Sequence, residues 1–286
     1  VNWDDIANAL FGGAAQYGEI LALVQNSVWA GAVLGVVGGL IGVFVMQRDM
    51  AFAVHGISEL SFAGAAAALL LGFDVVTGSI VGSVIAAGLI GWLGARARDR
   101  NSIIGVLMPF GLGLGILFLS LYNGRSANRF SLLTGQIVSV QSGQLGVLVV
   151  ISAIVLVGLL VIWRPLRFDS LDPQSAAARG VPTGWISLGF MLLLGLIVAV
   201  AVHIIGALLV MALLVTPAAA AMRVSTGPVA VPLLAALFGV VSAVGGILLA
   251  IAGTLPVSPY ITTISFVIYL VCRLVGARRD RVTRAA

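Results

Sequence analysis

The chain has 286 residues, 60% of them apolar and 9% charged, with a mean hydropathy of +1.17. A water-soluble domain carries about a quarter charged residues to face solvent, so this composition excludes a soluble globule and makes lipid the solvent. The net charge of +5 comes from arginines grouped between apolar runs, a pattern of membrane orientation rather than of nucleic-acid binding.

In chain order, Asn2 to Leu10 reads as amphipathic and acidic, which predicts an external interfacial helix within residues 1–26 and none of the basic lead-in of a secretory signal. Apolar runs follow at 27–46, 52–71, 75–95, 102–121, 145–163, 185–202, 205–222, 229–253 and 259–275, each near the ~20 residues that cross the hydrocarbon. The expected fold is therefore all-α, a polytopic membrane helix bundle of nine spans. The count becomes eight if 185–222, interrupted only by His203 and Ile204, is one span plus a half-helix; a tight hairpin turning at Gly206 fits equally. Within the outer connection 122–144, the apolar piece Phe130 to Val140 is too short to cross and predicts a re-entrant or interfacial segment. The inner connection 164–184 predicts a two-turn helix over Gln174 to Arg179, opened by Asp172-Pro173 and closed by Gly180, with Pro182 beyond. A short helix held outside the bilayer needs something to dock on. Residues 276–286 form a basic tail.

With the N-terminus outside and the C-terminus cytoplasmic, 13 of the 15 arginines fall on the cytoplasmic side and only Arg125 and Arg129 lie outside. Those two suit either acidic patches on an external partner or lipid headgroups. Glycines recur every fourth residue at Gly31, Gly35 and Gly39, at Gly78 and Gly82, and at Gly111 and Gly115, spacing that lets helices approach closely in lipid. There is no lysine, so no Walker A loop and no Schiff-base chemistry; ATP-driven work falls to a partner chain. The two histidines lie in different spans without a nucleophile elbow, and the lone Cys272 forms neither an internal disulfide nor a structural zinc site. No catalytic residue and no cofactor-binding residue is expected.

The candidate chemistry lies in the second run. Glu59 is the one acidic residue well inside any span, 11 residues past Arg48 and so ~16 Å along a helix, near the bilayer midplane. His55, four residues earlier, shares its helical face. An imidazole and a carboxylate at that spacing can share one divalent cation, and two related helices would offer four ligands. The plainer alternatives are a His–Glu hydrogen bond or a protonated Glu59 bonded to backbone. His203 reads as a capped or interfacial residue and Thr216-Pro217 as a packing kink.

Three stretches carry a resemblance: Val45-Met46-Gln47-Arg48 leading into His55–Gly64 and Leu69-Leu70-Leu71-Gly72; Leu171 to Ala176 through Arg179-Gly180-Val181-Pro182; and Gly206 to Ala219. Over about residues 25 to 275 the chain resembles the membrane permeases of zinc, manganese and iron ABC importers, the ABC-3 type. The resemblance implies a permease domain over 27–275 in the bacterial cytoplasmic membrane, a homodimer of permeases on two ATPase subunits that bind the ATP, and an external metal-binding protein feeding them. It also implies that Asp172, Pro173, Gln174, Ala176, Arg179 and Gly180 belong to a coupling helix in the ATPase groove. Family members commonly place Asp and His where this chain has His55 and Glu59, a carboxylate–imidazole pair in reversed order. That pair suits Mn²⁺, Zn²⁺ and Fe²⁺ alike. The competing expectations are a proton-coupled secondary transporter with Glu59 as proton relay, and a membrane scaffold or sensor that transports nothing.

Overall fold

The computed structural model describes residues 21, 23–93, 97–122, 137, 140–252 and 256–285. The expected helix at Asn2–Leu10, the segment from Phe130 and both Arg125 and Arg129 lie outside the described residues, apart from Ile137 and Val140. The described elements are helices: α1 Gln25–Gln47, α2 Ala51–Leu71, α3 Val75–Leu93, α4 Ala97–Leu121, α5 Ser142–Leu171, α6 Pro173–Ala178, α7 Thr183–Ile205, α8 Ala207–Leu214, α9 Thr216–Val224, α10 Ala230–Ile251 and α11 Val257–Ala285. Eight of them are long and apolar enough to cross a membrane among the described residues. The expected run 205–222 appears instead as α8 and α9, two short helices. Gly206, at φ 84° and ψ 155°, turns the chain after α7, and Pro217 sits in the first turn of α9, where its missing N–H is least costly.

The chain forms two compact units. In the first, made of the described residues up to 43 and within 137–146 and 212–285, α9, α10 and α11 pack against one another. Here α1 meets α10 backbone to backbone: a Cβ at Gly35 would stand 2.6 Å from the Gly239 carbonyl carbon, and Gly31 and Gly39 abut Ile247 and Ala235. The four-residue glycine spacing of α1 is thus a contact surface. Ser265 donates to the carbonyl of Ala212 at 3.1 Å.

The second unit, the described residues within 44–122 and 147–211, is arranged around α2, which packs on α3, α4 and α7. Small residues again set the approach. Gly64 faces Gly78 and Gly82 of α3, while Gly111 lies 3.0 Å, measured to a built Cβ, from the Glu59 carbonyl carbon and Gly115 abuts Phe62. Ser61 donates to the carbonyl of Ser79 at 3.1 Å. At the α2–α3 turn, Asp74 caps α3 by accepting from the Thr77 backbone N–H and hydroxyl, both at 2.8 Å. Those bonds, helped by the charge of His203, hold its carboxyl below the usual carboxylate range.

Between α1 and α2 the chain reverses in a tight turn. Asp49 takes a left-handed φ of 53°, a conformation Asp tolerates better than most residues, and the Met50 N–H reaches the Val45 carbonyl at 2.8 Å. Arg48 emerges here and pairs with Asp169 on the last turn of α5, Nη1 to Oδ2 2.6 Å, with side chains only 11% and 4% exposed. The same nitrogen lies 3.4 Å from Ser170 Oγ, and the guanidinium stands 5.9 Å from the Phe190 ring centre on α7. Removing one partner of such a buried pair costs about 3–5 kcal/mol, because the survivor is left as an unpaired charge.

Candidate functional site

His55 and Glu59 lie one turn apart in the first half of α2, held by the glycine-mediated approach of α3 and α4. Glu59 is 4% exposed, so it is buried within the chain rather than turned to lipid. His55 Nε2 and Glu59 Oε1 are 3.5 Å apart, longer than a good hydrogen bond. His55 Nδ1 and Glu59 Oε2 are buried with no hydrogen-bond partner among the described residues. The pair is therefore brought together but not satisfied, unlike nearby Ser58, whose hydroxyl donates to the His55 carbonyl at 2.8 Å. A buried polar atom without a partner costs about 1–3 kcal/mol, more when charged. Such a group persists where something else meets it during function.

Chemically, an imidazole nitrogen and a carboxylate oxygen form a partial ligand set for a borderline or hard divalent cation. Among the described residues no group of three or more His, Cys, Asp or Glu assembles, so this chain offers two such ligands at this site. Grooves of about 470 and 450 Å³ open elsewhere on the second unit, the larger along Leu60, Gly64, Val81 and Phe110, the smaller along Phe52, Ile104 and Met108; neither is lined by His55 or Glu59.

The short helix expected over Gln174 to Arg179 is present one residue earlier, as α6. Asp172 caps α6, its carboxylate accepting from the Ser175 N–H at 3.0 Å and the Ser175 hydroxyl at 2.5 Å; Pro173 occupies the first turn. Those Ser175 bonds hold the fully exposed Asp172 carboxyl below its usual range. Gly180, at φ 76°, ends the helix, and the Val181 N–H returns to the Ala176 carbonyl at 3.1 Å. Ala176 is buried, Gln174 and Arg179 are exposed, and the Arg179 guanidinium lies 5.5 Å from the Phe168 ring centre. His203 sits in the last turn of α7, electrostatically linked to Asp74 and apart from α2's pair. The Arg48–Asp169 pair escaped the sequence reading. Its one available hint is that the 164–184 connection holds two acids, of which Asp172 suffices as the cap.

Eight long apolar helices among the described residues and a buried, incompletely partnered acid define a multi-pass membrane protein with a polar site on one of those helices. The sequence model of the ABC 3 transport family matches residues 21–276, and this chain belongs to that family, as a transporter component of the bacterial plasma membrane. It is 32% identical over 225 residues to the manganese transport system membrane protein MntC of Halalkalibacterium halodurans, covering 78% of this chain and 77% of the relative. It is 26% identical over 259 residues to the manganese import system permease protein ScaB of Streptococcus parasanguinis, covering 90% and 92%. Its fold matches the solved structure of PsaBC from Streptococcus pneumoniae in complex with Fab at a TM-score of 0.81, with 26% identity over 91% of this chain and 95% of that one.

Proposed function

We propose that this chain is the permease subunit of an ATP-driven importer of a divalent transition metal, with Mn²⁺ as the first candidate cargo, working as a homodimer on two ATPase subunits beneath an external metal-binding protein. The observation that carries the reading is the buried His55–Glu59 pair, whose free Nδ1 and Oε2 atoms offer a cation the ligands that the chain itself leaves unused. Membership of a transport family and the relatives named for manganese transport favour Mn²⁺, a cation that imidazole and carboxylate suit. Two copies would supply four ligands. In this reading α6 is the coupling helix, with Asp172, Pro173, Gln174, Ala176, Arg179 and Gly180 shaping the surface an ATPase receives. ATP-driven closure of the ATPase dimer moves α6, and the path past His55 and Glu59 changes the side to which it opens.

The test uses the complex with its ATPase in liposomes. His55→Ala and Glu59→Ala are each expected to abolish ATP-dependent Mn²⁺ uptake while the ATPase still co-purifies. Normal uptake in both variants removes the site assignment. Transport by the chain without an ATPase, driven by a pH gradient and lost in Glu59→Ala, would instead support the proton-coupled reading.

A further inference from the structure

We propose that Arg48 and Asp169 form the positioning contact through which movement of α6 reaches the helix that carries His55 and Glu59. The inference rests on the reading of α6 as the ATPase-docking element and of α2 as the wall of the metal path.

The geometry brings both ends of that linkage to one guanidinium. Asp169 is on the last turn of α5, three residues before Asp172, the cap of α6. Phe190, whose ring faces the same guanidinium at 5.9 Å, is on α7, which begins at Thr183 just beyond α6. The helices that enter and leave α6 therefore both meet Arg48, α5 through the ion pair and α7 through a looser ring contact. On the other side, Arg48 belongs to the turn fixed by the left-handed Asp49 and the Met50-to-Val45 bond, and α2 starts at Ala51. His55 lies four residues into α2 from Ala51, about 6 Å along the helix at 1.5 Å per residue. With Arg48 Nη1 and Asp169 Oδ2 2.6 Å apart in buried surroundings, separating them would strand a charge away from water, so the two move together rather than slide. The pair touches neither His55 nor Glu59, and acts through the turn.

The experiment measures Mn²⁺ uptake and ATP hydrolysis side by side for the permease–ATPase complex in liposomes. In Asp169→Asn, which keeps shape and removes charge, and in Arg48→Gln, metal transported per ATP is expected to fall by roughly tenfold, within the range of typical intersite couplings. The apparent KM for Mn²⁺ and the amount of co-purifying ATPase are expected to stay at wild-type values, and the reciprocal R48D/D169R chain to recover part of the ratio. Wild-type stoichiometry in Asp169→Asn overturns the inference, as does a rise in KM with the ratio intact. Hydrogen exchange on the wild-type complex gives a measurement free of folding effects: ATP binding is expected to change protection at 47–51 together with 169–180. Change at 169–180 alone also overturns it. A wild-type chain that holds no ATPase or moves no Mn²⁺ fails the underlying reading, a result distinct from any of these.

Discussion

Glu59 and Asp169 are almost equally buried, at 4% and 3% exposure, yet their charges are met in opposite ways. Asp169 has a guanidinium at 2.6 Å; Glu59 has an imidazole at 3.5 Å and one oxygen with no hydrogen-bond partner among the described residues. The first arrangement suits the fixed contact proposed for Arg48 and Asp169, the second the transient ligand proposed for Glu59. His55 and Glu59 were legible in the sequence because they lie four residues apart on one helix, so their juxtaposition follows from helical geometry alone. Arg48 and Asp169 are 121 residues apart, and no local period joins them. Asp172 was legible for the same local reason as Glu59, and it yields a prediction. Asp172→Ala is expected to weaken α6 and reduce ATPase retention in pull-downs, with Asp172→Ser restoring most of it. Because the folded state holds this carboxyl below its ordinary value, its contribution is complete above the usual carboxylate pKa of about 4 and disappears as pH falls through the lower folded value. ATPase retention should therefore not vary through this group between neutral pH and about pH 5. A loss in that range that is also seen in Asp172→Ala belongs to another group.

Helix existence was readable from apolar runs, but helix ends were not. Hydropathy reports which solvent a residue meets, while the backbone continues for as long as its N–H and C=O groups find partners. The run expected to end at 163 thus continues to Leu171 through Arg164, Pro165 and Arg167, and α4 starts at Ala97 rather than 102. Conversely, the run 205–222 is apolar throughout much of its length yet divides at Val215, before Thr216-Pro217, which composition alone had suggested only as a kink. The glycine spacings did report true contacts, because a missing side chain on a lipid-embedded helix is most useful where another backbone approaches. Gly111 is the informative case. A built Cβ there stands 2.8 Å from Leu60 Cδ1 and 3.0 Å from the Glu59 carbonyl carbon, so a larger residue pushes α4 off α2 beside the acid. Gly111→Val is expected to cost about 1–3 kcal/mol of stability and to depress Mn²⁺ uptake more than expression level, measured by thermal melting and transport of the same preparation. Unchanged melting and uptake would show that α4 need not lie this close.

For the molecule as a whole, composition was sufficient to specify a helical membrane protein, since lipid leaves helices as the economical way to satisfy the backbone of these long apolar runs. Orientation remains an expectation drawn from the arginines, and it is open to direct test. In a Cys272→Ser background, Gln174→Cys is expected to react with a membrane-impermeant thiol reagent only from the cytoplasmic side, and Phe73→Cys, 70% exposed between α2 and α3, only from outside. Labelling of both from one side would overturn the topology and, with it, the placement of α6 next to an ATPase.

α5 runs for 30 residues, through Pro165, a length of about 45 Å against roughly 30 Å of hydrocarbon. If α6 docks on an ATPase as proposed, that length sets how far the docking surface stands from the apolar part of α5. One inserted residue near Leu171 would swing α6 by about 100° around that rod, whereas four would nearly preserve its bearing and lift it about 6 Å. On the proposed reading, exchange of ATPases between related permeases would depend on matched strut length as much as on matched surface chemistry.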